Sequence, residues 1–356
     1  MISGRTRFVA AITIIFLLLL SYEVFRFPGL MSAGKESGAE TEDKKPVKVL
    51  ILPKFEVDEM SGDFPGEAQL YYEHYMDGAE EYEVANAKDC SLYLKDGVAL
   101  SVLGMGKVSA SLNMMAILTD SRFDFSDAYI LSTGCAGSAV ETSVMGDVFV
   151  ISSAVDYDLG HHADSREMEG DASTTWFHDS SYDSSAVVDL DPDLTDRVYS
   201  LVKDLPLETT ERTRDYMSRS YDGADWAVRD PKVQRGTTVT SDNYWKGQYD
   251  HANALLMAKT YGCADPYATT EMEDIAVCRA AEQMGMLDHL IIIRDSVNMD
   301  TYMLGATPES LWDPSYDKSE IREENSEEYV NIFATAMENN FIVGRTIIDA
   351  ILEGDI

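Results

Sequence analysis

The sequence predicts an α/β domain with a central, mostly parallel mixed sheet. Three observations lead there. From Val47 onward, short apolar runs alternate with helical patterns. Several of the runs lack in/out alternation, as expected for strands covered on both faces. The chain has 356 residues and is 45% hydrophobic, enough to bury a sizeable core.

The runs "VKVLILP" (47–53), "VALSVLGM" (98–105), "AYILSTG" (128–134), "DVFVISSAVDY" (147–157), "GTTVTSDNYW" (236–245) and "HLIIIRDSVN" (289–298) are read as strands. Helices are predicted for "KVSASLNMMAILTDSR" (107–122), "DPDLTDRVYSLVKDL" (191–205), "QYDHANALLMAKTYG" (248–262), "TTEMEDIAVCRAAEQMG" (269–285) and "EEYVNIFATAMENNFIVGRTIIDAIL" (327–352). At the head of the fourth helix, Thr270 and Glu273 have capping-box spacing, and acids suit a helix N-terminus. Residues 163–185 show no periodicity and are read as a long loop crossing a surface or lining a site.

Ahead of the domain, Arg5 and Arg7 precede the apolar run Phe8 to Leu20, and Glu23, Arg26 and Pro28 follow. Residues 1–27 therefore read as a signal peptide or N-terminal membrane anchor, residues 28–46 as a flexible linker and 47–356 as the folded domain. The expected location is secreted, or anchored to the outer face of the membrane. After Pro46 no apolar run is long enough to cross a bilayer. The formal net charge of −35 is spread over the chain and repels phosphates, which argues against nucleic acid as a partner. The four cysteines lack C-x-x-C spacing, so neither a structural metal nor a disulfide framework is expected. Cys278 falls on a core-facing helix position, and Cys135 in a Gly-rich strand end.

In doubly covered sheets, ligands gather at the carboxyl ends of strands. "SVLGMGKVSAS" ends a strand with Gly104 and Gly106 and opens a helix whose N–H groups could cradle an anion. Ser109 stands where a dinucleotide fingerprint needs its third glycine, so no dinucleotide or other cofactor is expected. Three more strand ends carry "STGCAGSA" (132–139), "TSDNYW" (240–245) and "IIIRDSVNMD" (291–300).

Together with "EMEDIA" (271–276), these form an ordered series that resembles the purine nucleoside permease family, whose members look like the nucleoside phosphorylase and nucleosidase fold. "KVLILPKFEVDE" is similar to the family's opening strand and acidic loop, "STGCAG" to its Gly-rich turn, and "HADSREM" to its Asp-Ala-Arg-Glu-Met stretch. "TSDNYWKG" (240–247) is the most specific match. The resemblance implies a three-layer nucleoside phosphorylase-like domain and purine nucleosides as ligands, captured for uptake or cleaved at the N-glycosidic bond. Phosphate is then a candidate co-substrate, and a homo-oligomer is left open.

The resemblance also implies roles for single residues. Met272 should lie under the ribose and Glu273 should accept hydrogen bonds from its 2′- and 3′-hydroxyls. Tyr244 should stack on the base, with Cys135 and Asn298 beside it. Asn298 stands where many members of the wider fold carry a proton-donating Asp; an amide can hydrogen-bond a 6-oxopurine but cannot give up a proton. Asp300 is a fallback acid. Glu56 or Asp58 would activate water. Gly134, Ala136 and Gly106 offer backbone or anion contacts, and Arg166 or Lys54 could meet phosphate. His161 and His162 lie in the same region.

Overall fold

The computed structural model describes residues 43–170, 173–221, 229–313 and 327–356. The signal peptide or anchor expected over 1–27, and the linker up to residue 42, lie outside the described residues. The last two residues expected in the linker, Lys45 and Pro46, instead form a short parallel pairing with Phe123 and Asp124.

A ten-stranded sheet organises the domain. Its strands are β1 (Val49–Leu52), β2 (Glu80–Glu83), β3 (Ser91–Lys95), β4 (Val98–Leu100), β5 (Tyr129–Ser138), β6 (Val148–Asp156), β7 (Val187–Asp189), β8 (Val233–Thr240), β9 (Tyr267–Glu271) and β10 (Leu290–Met299). The order is β7-β6-β8-β9-β5-β1-β4-β3-β2, and β10 pairs with both β5 and β6. β6, β8, β9, β5 and β10 thus form a closed ring. The long pairings, β8 with β6 and β10 with β5, are parallel. Antiparallel pairings are short and sit at the closure or the margins.

Closure requires sharp bending, and irregular register supplies it. β8 shifts register at Gly236/Thr237 against β6 and at Thr237/Thr238 against β9; β10 shifts between Ser296 and Asn298. Such shifts bend a strand and increase its twist. At the first bend a side chain on Gly236 would collide with Ala268 on β9, so only glycine allows that approach.

Among the described residues the longer helices flanking the sheet are α1 (Gln69–Tyr75), α2 (Lys107–Leu118), α3 (Pro192–Val202), α4 (Glu211–Ser220), α5 (Gln248–Thr260), α6 (Asp274–Met284) and α7 (Glu327–Glu353). On one face Ala110, Met114 and Ile117 of α2 join Val277, Cys278 and Ala281 of α6 over Leu50, Ile130 and Ile292. On the other, Tyr71 of α1, Leu194 and Val198 of α3 and Val343 and Ile347 of α7 cover Ile51, Leu131 and Ile293. The uninterrupted apolar strands follow from this double cover.

The six predicted strands and the long C-terminal helix are present. One reading is corrected: "TTEMED" does not open a helix. Thr269 to Glu271 belong to β9, and the helix starts at Asp274. Thr270 is paired with Gly137, so the Thr270–Glu273 capping box does not form. Glu271 takes that role instead, its Oε2 accepting from the amides of Glu273 and Asp274 at 2.6 and 2.7 Å. The loop after His162 folds back, Trp176 and Phe177 pairing with His162 and His161. All four cysteines are free, with Cys278 buried.

The two-sided cover gives a direct test. Tyr71 crosses from α1 to α7, donating to Asn340 Oδ1 at 2.8 Å, and a Cβ at Gly344 of α7 would fall on its hydroxyl. Gly344→Ala is expected to lower unfolding free energy by about 1–3 kcal/mol, the usual range for overpacking. Urea denaturation checks this; unchanged stability would mean that α1 and α7 do not pack so closely.

Candidate functional site

The carboxyl ends of β1, β5, β9 and β10 converge on a cavity of about 100 Å3. Lys54, Glu67, Cys135, Ala136, Gly137, Met272, Glu273, Arg294 and Asn298 line it, with Met105 and Tyr244 also on its wall. Tyr244 is half exposed. A larger groove, about 460 Å3, runs between α2 and α6. Its two cations are already bonded, Lys107 to Asp156 and Arg279 to Glu282, so the smaller cavity is where unusual polar groups meet.

At its base Arg294 of β10 is fully buried, 1% exposed. A guanidinium can occupy such a position only if its charge and donors are matched. Nε and Nη2 reach Asp274 at 2.8 Å each, and Nη2 also reaches Glu271 at 3.1 Å and Glu273 at 3.3 Å. Nη1 donates to the Cys135 carbonyl at 3.0 Å. Burial raises the Asp274 carboxyl, but the charge and hydrogen bonds of Arg294, with Lys54 and the Ser132 hydroxyl, together hold the group low. Glu271 is raised to about 7 by burial and by the neighbouring Asp274 charge, with Arg294 opposing. Its Oε1 accepts from the hydroxyls of Thr240 and Thr238 at 2.5 and 3.2 Å.

Opposite lies Glu67, on the segment leading into α1. Its carboxylate accepts from the Lys54 amide at 2.7 Å and the Cys135 amide at 2.8 Å. It fills the space that a side chain on Gly134 would need, and Gly134 has φ +155°. Burial raises its proton affinity, opposed by Arg294 and Lys54. Lys54 is buried too, its Nζ donating to the Leu52 carbonyl, Ser132 Oγ and the Thr133 carbonyl at 2.7–3.1 Å. Burial, then the Arg294 charge, lowers its proton affinity.

The predicted sugar and base residues are brought together. Glu273 is buried at the α6 N-terminus, and its Oε1 accepts from the Gly106 amide at 3.0 Å. The Lys107 amide is taken by Asp242 Oδ1 at 2.8 Å. The α2 N-terminus expected to cradle an anion therefore holds two carboxylates of its own chain, and Gly106 acts through Glu273. Asn298 is buried, with Nδ2 donating to the Met299 carbonyl at 3.2 Å. A Cβ on Gly137 would come within 3.0 Å of that nitrogen, so this glycine keeps room for the amide.

Other expected residues lie elsewhere. Glu56 is committed to backbone, accepting from the amides of Val57, Gly66, Ala68 and Gln69; it closes its loop and caps α1. Asp58 is exposed, at φ +54°. Neither lines the cavity, because the loop turns back and delivers Glu67 in their place. Asp300 is buried in a separate cluster, its Oδ2 2.6 Å from the Tyr267 hydroxyl and 2.7 Å from His251 Nδ1; His251 Nε2 is 2.8 Å from Glu141. Arg166 is exposed and paired with Asp164, and His161 and His162 are exposed. Glu67 had no sequence signal beyond its place before an amphipathic stretch. Arg294 did have one: a lone cation inside "LIIIRDSV".

Solved structures of similar fold include nucleosidases. A 5′-methylthioadenosine/S-adenosylhomocysteine nucleosidase from Neisseria meningitidis matches with a TM-score of 0.51 at 16% identity, covering 85% of this chain and 99% of its own. A futalosine hydrolase from Helicobacter pylori matches in its native and mutant forms with a TM-score of 0.52 at 12% identity, covering 85% of this chain in both cases and 97% and 99% of the native and mutant chains respectively. At these identities the likeness establishes the nucleoside phosphorylase-like fold. Residues 46–354 match the purine nucleoside permease family, and the chain belongs to it. A probable purine nucleoside permease from Schizosaccharomyces pombe is 26% identical over 221 residues, spanning 55% of this chain and 63% of that relative's length.

The Arg294 cluster predicts a pH-dependent defect. Arg294→Met removes the one guanidinium that Glu271, Glu273 and Asp274 share, and breaking a buried pair costs about 3–5 kcal/mol. Without it the folded-state proton affinities of Glu271 and Asp274 rise. The loss should be largest at neutral pH and shrink as pH falls and the acids are protonated. Thermal melts across pH check this; a defect independent of pH would mean the cluster is not ionised as described.

Proposed function

We propose that this protein is an exported purine nucleoside-binding protein that takes part in nucleoside uptake by cleaving its ligand hydrolytically to base and sugar. In this reading the domain is a three-layer nucleoside phosphorylase-like fold, with helices packed on either side of the sheet. Arg5, Arg7 and the apolar run Phe8–Leu20 support export, by secretion or anchoring.

The observation that carries the reading is Glu67, a buried carboxylate facing the same cavity as Glu273 and Asn298. Burial raises its proton affinity, which suits a general base better than an ordinary exposed carboxylate. Glu273 keeps lone pairs beyond those used by Gly106 and Arg294, and two carboxylate oxygens can accept from vicinal hydroxyls. Glu67 would take a proton from water as its oxygen attacks the anomeric carbon. The glycosidic bond then breaks with its electron pair on the purine. Negative charge around the sugar stabilises the oxocarbenium-like transition state. Asn298 would hold a 6-oxopurine by hydrogen bonds.

Water is favoured over phosphate as acceptor because the local cations are occupied. Arg294 serves three carboxylates, Lys54 three oxygens, and the α2 N-terminus two side chains. One observation favours a second reading, capture without cleavage: Asn298 cannot protonate a departing base, which slows cleavage of poor leaving groups.

Incubating the protein with inosine, guanosine and adenosine, with and without phosphate, tests the proposal. Free base in both arms is expected; base only with phosphate would mean phosphorolysis, and binding without release would leave capture. Glu67→Gln should lower turnover about 10²–10⁴-fold, the usual contribution of a positioned base, with nucleoside affinity largely kept. Glu273→Gln should weaken ribonucleoside binding by about 1.5–3 kcal/mol, the worth of a hydrogen bond to a charged group. Calorimetry with 2′,3′-dideoxyinosine is the control, since equal weakening of that ligand would remove Glu273 from the ribose.

A further inference from the structure

The segment 241–247 runs from β8 to α5 without regular structure of its own, yet it carries Tyr244 onto the cavity wall. Backbone bonds pin its two ends. The Ser241 amide donates to the Glu271 carbonyl at 2.9 Å, and the Gly247 amide to the Asp300 carbonyl at 2.8 Å. Between them Asp158, in the loop after β6, takes hold of the segment. Its Oδ1 accepts from Ser241 Oγ at 2.8 Å and Asn243 Nδ2 at 3.2 Å, and its Oδ2 from the Asp242 amide at 2.7 Å.

Lys107, the first residue of α2, is shared by Asp158 and Asp242. Its Nζ lies 2.8 Å from Asp156, 2.9 Å from Asp158 and 3.9 Å from Asp242. Burial lowers its proton affinity, but hydrogen bonds to Asp156 and Asp158 and their charges outweigh that, so the ammonium is retained. Ion pairs in open solvent contribute little; here the Lys107 and Asp156 side chains are only 17% and 15% exposed, and screening is weaker. The cation also keeps three carboxylates from repelling one another. Without it Asp242, the most exposed of the three, is free to swing outward and take its segment along.

The head of α2 ties this cluster to the sugar side of the cavity. Two consecutive amides there hold one carboxylate each, Gly106 that of Glu273 at 3.0 Å and Lys107 that of Asp242 at 2.8 Å. Gly106 has φ +86°, and a Cβ on it would stand 3.2 Å from Asp242 Oδ1, so glycine permits both bonds at once. The spacing of adjacent amides thus sets the offset between the proposed ribose acceptor and the segment bearing Tyr244. The cavity, about 100 Å3, is small beside the usual range of about 300–1,000 Å3 for small-molecule sites, so a slight displacement of that wall changes what fits.

We infer that Lys107 is a positioning residue for the base: its ammonium, through Asp158 and Asp242, holds Tyr244 in register with Glu273. Lys107 does not line the cavity and acts only through the segment. Its effect on binding rests on the nucleoside reading of the cavity; its hold on the segment does not.

The test uses the full chain and two measurements. Calorimetry with inosine compares wild type, Lys107→Met, Tyr244→Ala and the double variant. Tyr244→Ala should weaken binding about 5- to 100-fold, the range for losing a base–aromatic stack. Lys107→Met should weaken it about tenfold, within the range for coupled neighbours. The double variant should bind within about twofold of Tyr244→Ala alone, because Lys107 acts through that ring. Lys107→Arg keeps a cation facing the carboxylates and should restore most of the affinity. The second measurement is amide hydrogen exchange over 241–247, expected to quicken in Lys107→Met and return toward wild type in Lys107→Arg, with exchange in α7 unchanged. Losses that multiply in the double variant, or a Tyr244→Ala protein that binds inosine as wild type does, overturn the positioning of the base. Exchange over 241–247 unmoved by Lys107→Met overturns the hold itself. Should Lys107→Met fail to fold, Asp158→Asn makes both comparisons, since it removes the charge between Lys107 and the segment. Wild type binding no nucleoside would sink the nucleoside reading alone, leaving hydrogen exchange to decide what Lys107 holds.

Discussion

Arg294 is the constraint around which the site is built. A guanidinium buried in the middle of an apolar strand must find its counter-charges within the fold, and it finds them on one short turn, at Glu271, Glu273 and Asp274. That turn joins β9 to α6, so satisfying Arg294 locks the β10 end against the head of α6. Its remaining bond, to the Cys135 carbonyl, brings in the end of β5. Three strand ends are thereby fixed by one side chain, and the cavity is the space between them.

The ring of strands and the charge cluster depend on each other. Without the bends in β8 and β10 the sheet would stay open, and β10 could not pair with both β5 and β6. The bend between Ser296 and Asn298 comes just after Arg294 and Asp295, whose side chains serve opposite faces: Arg294 toward α6, Asp295 toward α7. Where the strand bends, Asn298 enters the cavity wall beside Gly137. One strand thus provides the ion-pair anchor, a buried acid and a cavity-lining amide within five residues.

Much of this was legible in the sequence because strands buried on both faces announce themselves as unbroken apolar runs. Gly137 falls near the end of β5, as the Gly-rich turn suggested, and Tyr244, Cys135, Met272, Glu273 and Asn298 line one cavity. What failed depended on tertiary context. Thr269 and Thr270 sit in a strand because β8 and β5 lie alongside them, which local spacing cannot reveal. Glu56 looked like an active-site acid by its position after β1, but its oxygens satisfy the amides that its own loop leaves free. Glu67 reaches the cavity only because that loop doubles back, and the sequence carries no mark of where it ends. The weak strands β2 and β3, "EEYE" and "SLYLK", are polar margins without the apolar runs that flagged the others.

The balance of charge around the cavity narrows the kind of ligand it suits. Lys54 and Arg294 are cations, but every donor direction they have been assigned points to oxygens of the chain itself. Two N–H groups at the head of α2, those of Gly106 and Lys107, are likewise taken by Glu273 and Asp242. An incoming anion would have to displace carboxylates that are already held in place, in a chain with a net charge of −35. A neutral ligand rich in hydroxyl donors meets the reverse situation. Carboxylate oxygens of Glu273 and Glu67 are fixed in position by backbone amides, so they can accept from a sugar without first being ordered. The half-exposed Tyr244 ring on the wall offers an apolar face to a flat base. Fixed acceptors below and an aromatic surface at the rim are complementary to the two halves of a nucleoside, and the internal neutralisation of the cations is what leaves those acceptors free to serve it.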